Sequence, residues 1–301
     1  MQALVFADVL LPVMALTAAG FLLGRLTKIA STPLLTVTLY VLQPALIFQA
    51  LYGNAVSGED ASLVLGLALL LQVLLLGVAL VAGRAARWDE PKRAAAILSF
   101  AFNNIGAYGL PVLLFAFGQE GLALGVVYLV AHSALQATLA VGVAAWRGGN
   151  SIRALLGSVL RVPWIYALAL ALLCRLTRLS LPTGVGRSVE LLSEGAIPVQ
   201  LILLGLQLSE VRIGRVLREA APLAVAKLVL PMLTAFGVTA AFGLTGLTRN
   251  VILVQASAPA AMNSLVLALH YDRRSELVAA VILLTTIGSC LTVGLLLAYI
   301  M

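Results

Sequence analysis

Residues 93–117 read RAAAILSFAFNNIGAYGLPVLLFAF, an apolar run with two amides, two glycines and a proline in the nine positions from Asn103 to Pro111. A run of about 20 apolar residues is what a helix needs to cross the hydrocarbon core of a bilayer. Asparagine and glycine are poor helix formers, and backbone released at membrane depth must be satisfied by protein or by a water-filled cavity. The stretch therefore predicts a membrane helix broken near its middle. Residues 250–269, NVILVQASAPAAMNSLVLAL, predict a second break, because Pro259 removes an amide donor and disturbs the carbonyl one turn back. The plain alternative for both is a pair of kinks joined by interhelical amide bonds.

Away from these stretches the chain is of the same material. Of 301 residues, 62% are hydrophobic and 10% charged, whereas a soluble domain carries about a quarter charged residues. The net charge of +7 would suit a nucleic-acid partner, but the basic residues lie in short loops between apolar spans and form no stripe. No nucleic acid is expected. Cys174 and Cys290 fall in apolar spans without ligand spacing, so they read as packing residues, with no disulfide, metal or cofactor implied. The first apolar run, Leu4 to Leu23, lacks a basic n-region and a cleavage site, and reads as a retained helix.

The expected fold is an all-α polytopic membrane protein of about ten transmembrane helices. They run from about Leu4 to Leu23, Thr32 to Tyr52, Ala61 to Ala82, Arg93 to Phe117 and Gly121 to Trp146. The second half follows with Pro163 to Leu181, Val189 to Leu208, Ala220 to Leu244, Asn250 to Leu269 and Leu277 to Ile300. The loops after helices 1, 3, 5, 7 and 9 hold fourteen Lys and Arg and the even-numbered loops four, three of those being Arg175, Arg178 and Arg187. Positive loops face the cytoplasm, so both termini are expected outside a bacterial-type inner (plasma) membrane. Pro12 and Pro163 are separated by 151 residues, Pro44 and Pro198 by 154, and Pro111 and Pro259 by 148. That predicts two five-helix repeats, 1–150 and 151–301, which an odd helix count makes inverted. Inverted repeats with broken helices in matching positions are the plan of secondary transporters; the alternative is a chance alignment of prolines.

In this setting FNNIGAYGLP (102–111), QASAP (255–259) followed four residues later by SLVLALHY (264–271), LQPALIF (42–48) and IPVQLILLGLQL (197–208) resemble motifs of the auxin efflux carrier family. Its bacterial members are permeases for small carboxylates such as malate or malonate. The resemblance covers nearly the whole chain. It implies a ten-helix, five-plus-five inverted repeat in which helices 4 and 9 cross at their broken centres beside the substrate. Asn104 then takes the place of the family's substrate-side asparagine and Pro259 that of the second crossover proline. Asn103 stands where plant members carry proline, and the short link from Arg147 to Val162 lacks their long cytosolic insert.

The expected substrate-binding set is Gln43, Asn103, Asn104, Gly106, Tyr108, His132, Gln136, Gln255, Ser257, Pro259 and Asn263. Gly106 is expected to permit the irregular backbone. His132 falls where the family often has a polar residue facing the substrate. It could bond a carboxylate or take up a proton, and the alternative is a histidine satisfied by a neighbouring helix. Glu194, four residues before Pro198, reads as the most interior carboxylate and a second site for proton coupling. Lys227 either pairs with an acid or snorkels to the outer interface. With neither Arg nor Lys expected near a break, anion selection would rest on helix-start N–H groups and on the amides of Asn104, Gln255 and Asn263.

The expected activity is secondary transport of a small organic anion, auxin-like or a dicarboxylate, by alternating access. H+ or Na+ is open as the coupling ion, and a homodimer is open. An anion channel needs no crossed discontinuous helices, and an enzyme finds no nucleophile–base pair or metal cluster in the sequence.

Overall fold

The computed structural model describes residues 6–53, 56–144, 163–211 and 216–301. Eleven helices of nine residues or more order the described chain: α1 Leu11–Thr27, α2 Thr32–Gly53, α3 Gly58–Ala85, α4 Glu90–Ala101, α5 Leu110–Leu135, α6 Pro163–Leu176, α7 Thr183–Glu210, α8 Leu217–Ala241, α9 Gly246–Ala256, α10 Met262–His270 and α11 Ser275–Ile300, with a single α turn at Val141–Ala144. One-turn π segments lie before α1 (Phe6–Leu10), inside α2 (Thr38–Leu42), before α5 (Ile105–Gly109) and after it (Gln136–Ala140). Among the described residues the one β-type pairing outside helices is an isolated antiparallel bridge between Asn103 and Ala260.

Among the described residues seven helical runs are long and apolar enough to cross a membrane, and Pro163–Leu176 is a shorter apolar helix. The longest run, Ile105–Ala140, is bent into a hairpin. Gly118 sits at φ +65°, ψ −156°, backbone open in practice to glycine alone. A Cβ on Gly125 would lie 3.0 Å from Leu110 Cδ2, although fifteen residues of straight helix would separate the two by roughly 22 Å. Helix 4 thus ends at the bend and helix 5 begins after it, as the sequence reading divided them. Helix 6 stops at Leu176, short of the expected Leu181, and α7 starts at Thr183, well before Val189.

The helix ends follow local chemistry. Ser57 caps α3 by accepting from Asp60 N at 2.9 Å, and Glu59, Asp60 and Arg84 complement the two ends of its dipole. Asp89 caps α4, accepting from Lys92 N. α4 stops where Phe102 turns extended (φ −109°, ψ 127°).

Packing sorts the helices into two groups that draw on both halves of the chain: α1, α2, α6 and α7 form one, and α3, α4, α5, α8, α9, α10 and α11 the other. In the first group α1 and α7 touch backbone to backbone. A Cβ on Gly20 would overlap the Ile202 carbonyl, and one on Gly205 would overlap Thr17 O. Small residues permit such approach where dispersion packing, not water expulsion, drives helix association.

The links segregate to two ends of the bundle. At one end Ser31 donates to Glu210 through N (2.8 Å) and Oγ (3.1 Å), Lys92 and Arg274 both pair with Glu219 at 2.9 Å, and Arg273 pairs with Glu90 at 3.0 Å. Hydrogen bonds donated to Glu219 hold the Arg274 guanidinium above its ordinary pKa. At the other end Thr248 Oγ1 donates to Asp60 (2.8 Å), Arg175 donates to Val56 O (3.1 Å) and Tyr52 OH to Leu179 O (3.2 Å). The links after helices 1, 3, 7 and 9 therefore share one end, and those after helices 2, 6 and 8 the other. The link from Arg147 to Val162 lies outside the described residues.

Candidate functional site

The breaks in helices 4 and 9 meet. Asn104 N donates to Pro259 O at 2.7 Å and Ala261 N donates to Phe102 O at 3.0 Å, so 102–104 and 259–261 form a short antiparallel ladder between α4 and α9. Each leaves its helix because no further intrahelical partner is offered: α4 gives way to extended backbone at Phe102, and α9 reaches Pro259, which has no N–H. The pairing satisfies in protein the backbone that two broken helices release.

Four helix ends converge here, and they are treated unequally. The carbonyls at the end of α4 are taken in turn: Leu98 O accepts from Ser264 Oγ (2.8 Å), Phe100 O from Lys227 Nζ (2.8 Å) and Ala101 O from Gln72 Nε2 (3.0 Å). Those at the end of α9, Gln255 O and Ala256 O, accept from Asn103 Nδ2 at 3.0 and 2.9 Å. The starts are different. Asn104 and Ala261, the residues preceding the π turn at Ile105 and helix α10, make no side-chain capping bond.

Asn103 is the hub. Its Nδ2 reaches α9, its Oδ1 accepts from Lys227 Nζ, and its N–H donates to His132 Nε2 at 3.4 Å. The imidazole nitrogen that accepts is the unprotonated one, so the neutral ring carries its proton on Nδ1. His132 is buried between Tyr128, stacked at 6.3 Å, and Phe102, edge-on at 6.3 Å. Asn104 is buried, and its Nδ2, Gln255 Oε1 and Ser257 Oγ have no hydrogen-bond partner among the described residues. Gln255 Nε2 donates to Gly125 O at 3.4 Å. Buried polar atoms left unpaired mark a place for a ligand or water.

The other expected residues are placed as follows. Tyr108 is fully buried beside Ser289 of α11. Gln43 reaches the break, its Nε2 lying 3.9 Å from where a Gly106 Cβ would stand. Gly106 does not take positive φ, so glycine's special freedom is not what the break uses; the positive-φ glycine of this region is Gly118. Gln136 starts the π turn one helical turn beyond His132, with a buried, unpartnered Nε2. Asn263 is exposed and lies outside the hydrogen-bonded cluster; its neighbour Ser264 is the residue that enters it. Glu194 is not interior. It is exposed on a cavity of about 580 Å³, open between the two helix groups and lined also by Gln49, Gln119, Glu190 and Ser193.

Lys227 requires a correction. It neither pairs with an acid nor snorkels: it is 1% exposed, and its bonds go to Phe100 O and Asn103 Oδ1. A cationic side chain therefore does stand at the break. Hydropathy gave no face to α8, which is apolar nearly all round, so the direction of Lys227 was not readable. Gln72 and Thr285, which donates to Val281 O and accepts from Ala260 N at 3.2 Å, were also missed. A lone amide in the apolar run of α3 was the available signal for Gln72.

Apolar helices long enough to span a bilayer, packed with two interrupted helices whose breaks are joined through their backbones, fit the plan of a membrane transport protein. The chain belongs to the membrane transport protein family, that of the auxin efflux carriers, which it matches over residues 5–297. An uncharacterized transporter of Methanothermobacter thermautotrophicus is 29% identical over 293 residues, 96% of each chain. Another, from Methanocaldococcus jannaschii, is 26% identical over 297 residues, again 96% of each.

Proposed function

We propose that the chain is a secondary transporter that moves a small organic anion, an auxin-like carboxylate or a dicarboxylate, across the plasma membrane by alternating access, with the substrate bound at the crossover. The observation that carries this reading is the unequal treatment of the helix ends. Side chains occupy the carbonyl ends of α4 and α9, whereas the starts after Asn104 and Ala261 have no side-chain cap. Free N–H groups at a helix start, with about half an elementary charge from the aligned peptide dipoles, favour an anion. The unpaired amide of Asn104 adds a donor beside them.

Around this site we infer ten crossings in two inverted repeats, 1–150 and 151–301, the hairpin at Gly118 supplying the end of helix 4 and all of helix 5. The antiparallel run of 102–104 against 259–261 accords with inversion. The end carrying Lys92, Arg273 and Arg274 is taken as cytoplasmic on its positive charge, with both termini outside. Binding by matched pairs, a carboxylate against its neutral amide, tests the reading in thermal-shift assays. Equal stabilisation by the amide, or preference for an amine, overturns it. Saturable uptake with counterflow in proteoliposomes is the result expected of a carrier, and unsaturable flux that of an anion channel.

A further inference from the structure

We propose that Lys227 sets the anion selectivity of the crossover: its ammonium cancels the negative ends of α4 and α9 and leaves the two opposed helix starts as uncompensated positive charge. The inference rests on the proposed site and names the residue that would give that site its sign.

Four helix ends meeting at one point have no obvious net polarity. Two carbonyl ends contribute about half a negative charge each, and two N–H ends about half a positive charge each. Their fields at the centre would largely cancel, and uncapped starts alone would not make an anion site. The structure breaks the balance with one cation. Lys227 donates directly to Phe100 O at the end of α4 (2.8 Å), and it donates to Asn103 Oδ1. The Asn103 amide is oriented as a relay, with its oxygen on the ammonium and its Nδ2 on Gln255 O and Ala256 O at the end of α9. One positive charge thus faces two ends that together carry about one negative charge.

Burial makes this placement specific. A fully buried ammonium is costly unless paired and hydrogen-bonded, and among the described residues no carboxylate bonds to Lys227. Among the described residues, two of the three donors of its ammonium have partners. The compensation comes from carbonyl dipoles, which stay with the helices whatever the ligand does. Among the described residues the other titratable side chain hydrogen-bonded into this network is His132, whose Nε2 accepts from Asn103 N and so carries no proton. The positive charge of the described cluster therefore lies on Lys227.

The test compares wild type with Lys227→Gln, Lys227→Met and Lys227→Arg in detergent. Acetate, malonate, malate and indole-3-acetate are each paired with the corresponding amide, and affinities are read by calorimetry or thermal shift. Gln retains a donor for Phe100 O and Asn103 Oδ1, Met retains the shape, and Arg retains the charge. In the neutral variant that is monodisperse, the best wild-type carboxylate should bind about tenfold more weakly or worse, while its amide changes by less than about threefold; Arg should restore the preference. A merely structural lysine would weaken acid and amide alike, and that result overturns the inference, as does carboxylate binding at wild-type strength in either neutral variant. Loss of folding in both neutral variants also overturns it, by making Lys227 a requirement of the frame and not of selectivity. If no carboxylate in the panel stabilises wild type, the proposed function itself has failed.

Discussion

Asn104 donates its backbone N–H to Pro259 O at 2.7 Å, so the residue at the start of one broken half-helix is held by the proline in the break of the other. The bond is made by the main chain and leaves the Asn104 side chain, with its unpartnered Nδ2, free for a ligand. Asn104→Leu should therefore fold, since it leaves no protein group without a partner, and should abolish transport. Proteoliposome uptake beside size-exclusion profiles checks this, and normal transport by the variant would move the substrate site elsewhere.

Asn103, its neighbour, should behave in the opposite way. Asn103→Ala removes one partner from each of Gln255 O, Ala256 O and Lys227 Nζ, the last of which keeps Phe100 O. Losing buried hydrogen bonds costs about 1–3 kcal/mol each, so a loss of about 3 kcal/mol is expected. A melting temperature equal to wild type in detergent would show that these bonds are dispensable.

The glycine seam between α1 and α7 gives a packing prediction. A side chain on Gly205 meets backbone, not a movable side-chain tip, so Gly205→Leu should force the helices apart and lower the yield of folded protein sharply. Gly237, which has open space at its Cβ position, is the control, and Gly237→Ala should express as wild type.

Orientation is checked by single cysteines in a background lacking Cys174 and Cys290. A cysteine at Ser57, which lies at the same end as Thr248 and Arg175, should react with impermeant reagent from outside, and one at Ser151 should not. The reverse pattern overturns the assignment of the cytoplasmic face.

Two titratable residues stand where proton coupling would need them, in separate places: His132 at the crossover and Glu194 on the open cavity. If protons drive transport through either, uptake by the His132→Gln, Glu194→Gln double variant should lose its pH dependence. An unchanged profile removes both residues and leaves Na+ or uniport.

The breaks were legible because asparagine, glycine and proline interrupt otherwise apolar runs, and little else tolerates them there. That 102–104 pairs with 259–261 was not legible in the residues, since main-chain hydrogen bonds carry no side-chain signature. The division at Gly118 showed in the pattern of spans. Asn263 lies one position from the residue that enters the cluster: on a helix the next residue points about 100° away, and Ser264 takes the inward place. Lys227 was noticed as a charge in an apolar helix, but its partners are a carbonyl and an amide from another half of the sequence, which no periodicity reveals. Glu194 was judged by depth along its helix, whereas an open cavity brings the surface to it.

The ladder at the crossover is written in backbone atoms, and that separates what frames the site from what furnishes it. Phe102 O, Ala261 N and Asn104 N would keep their pairing under most side-chain replacements, proline apart. A lineage carrying such a frame could exchange one cargo for another by changing a few neighbouring side chains, without rebuilding the architecture that holds them.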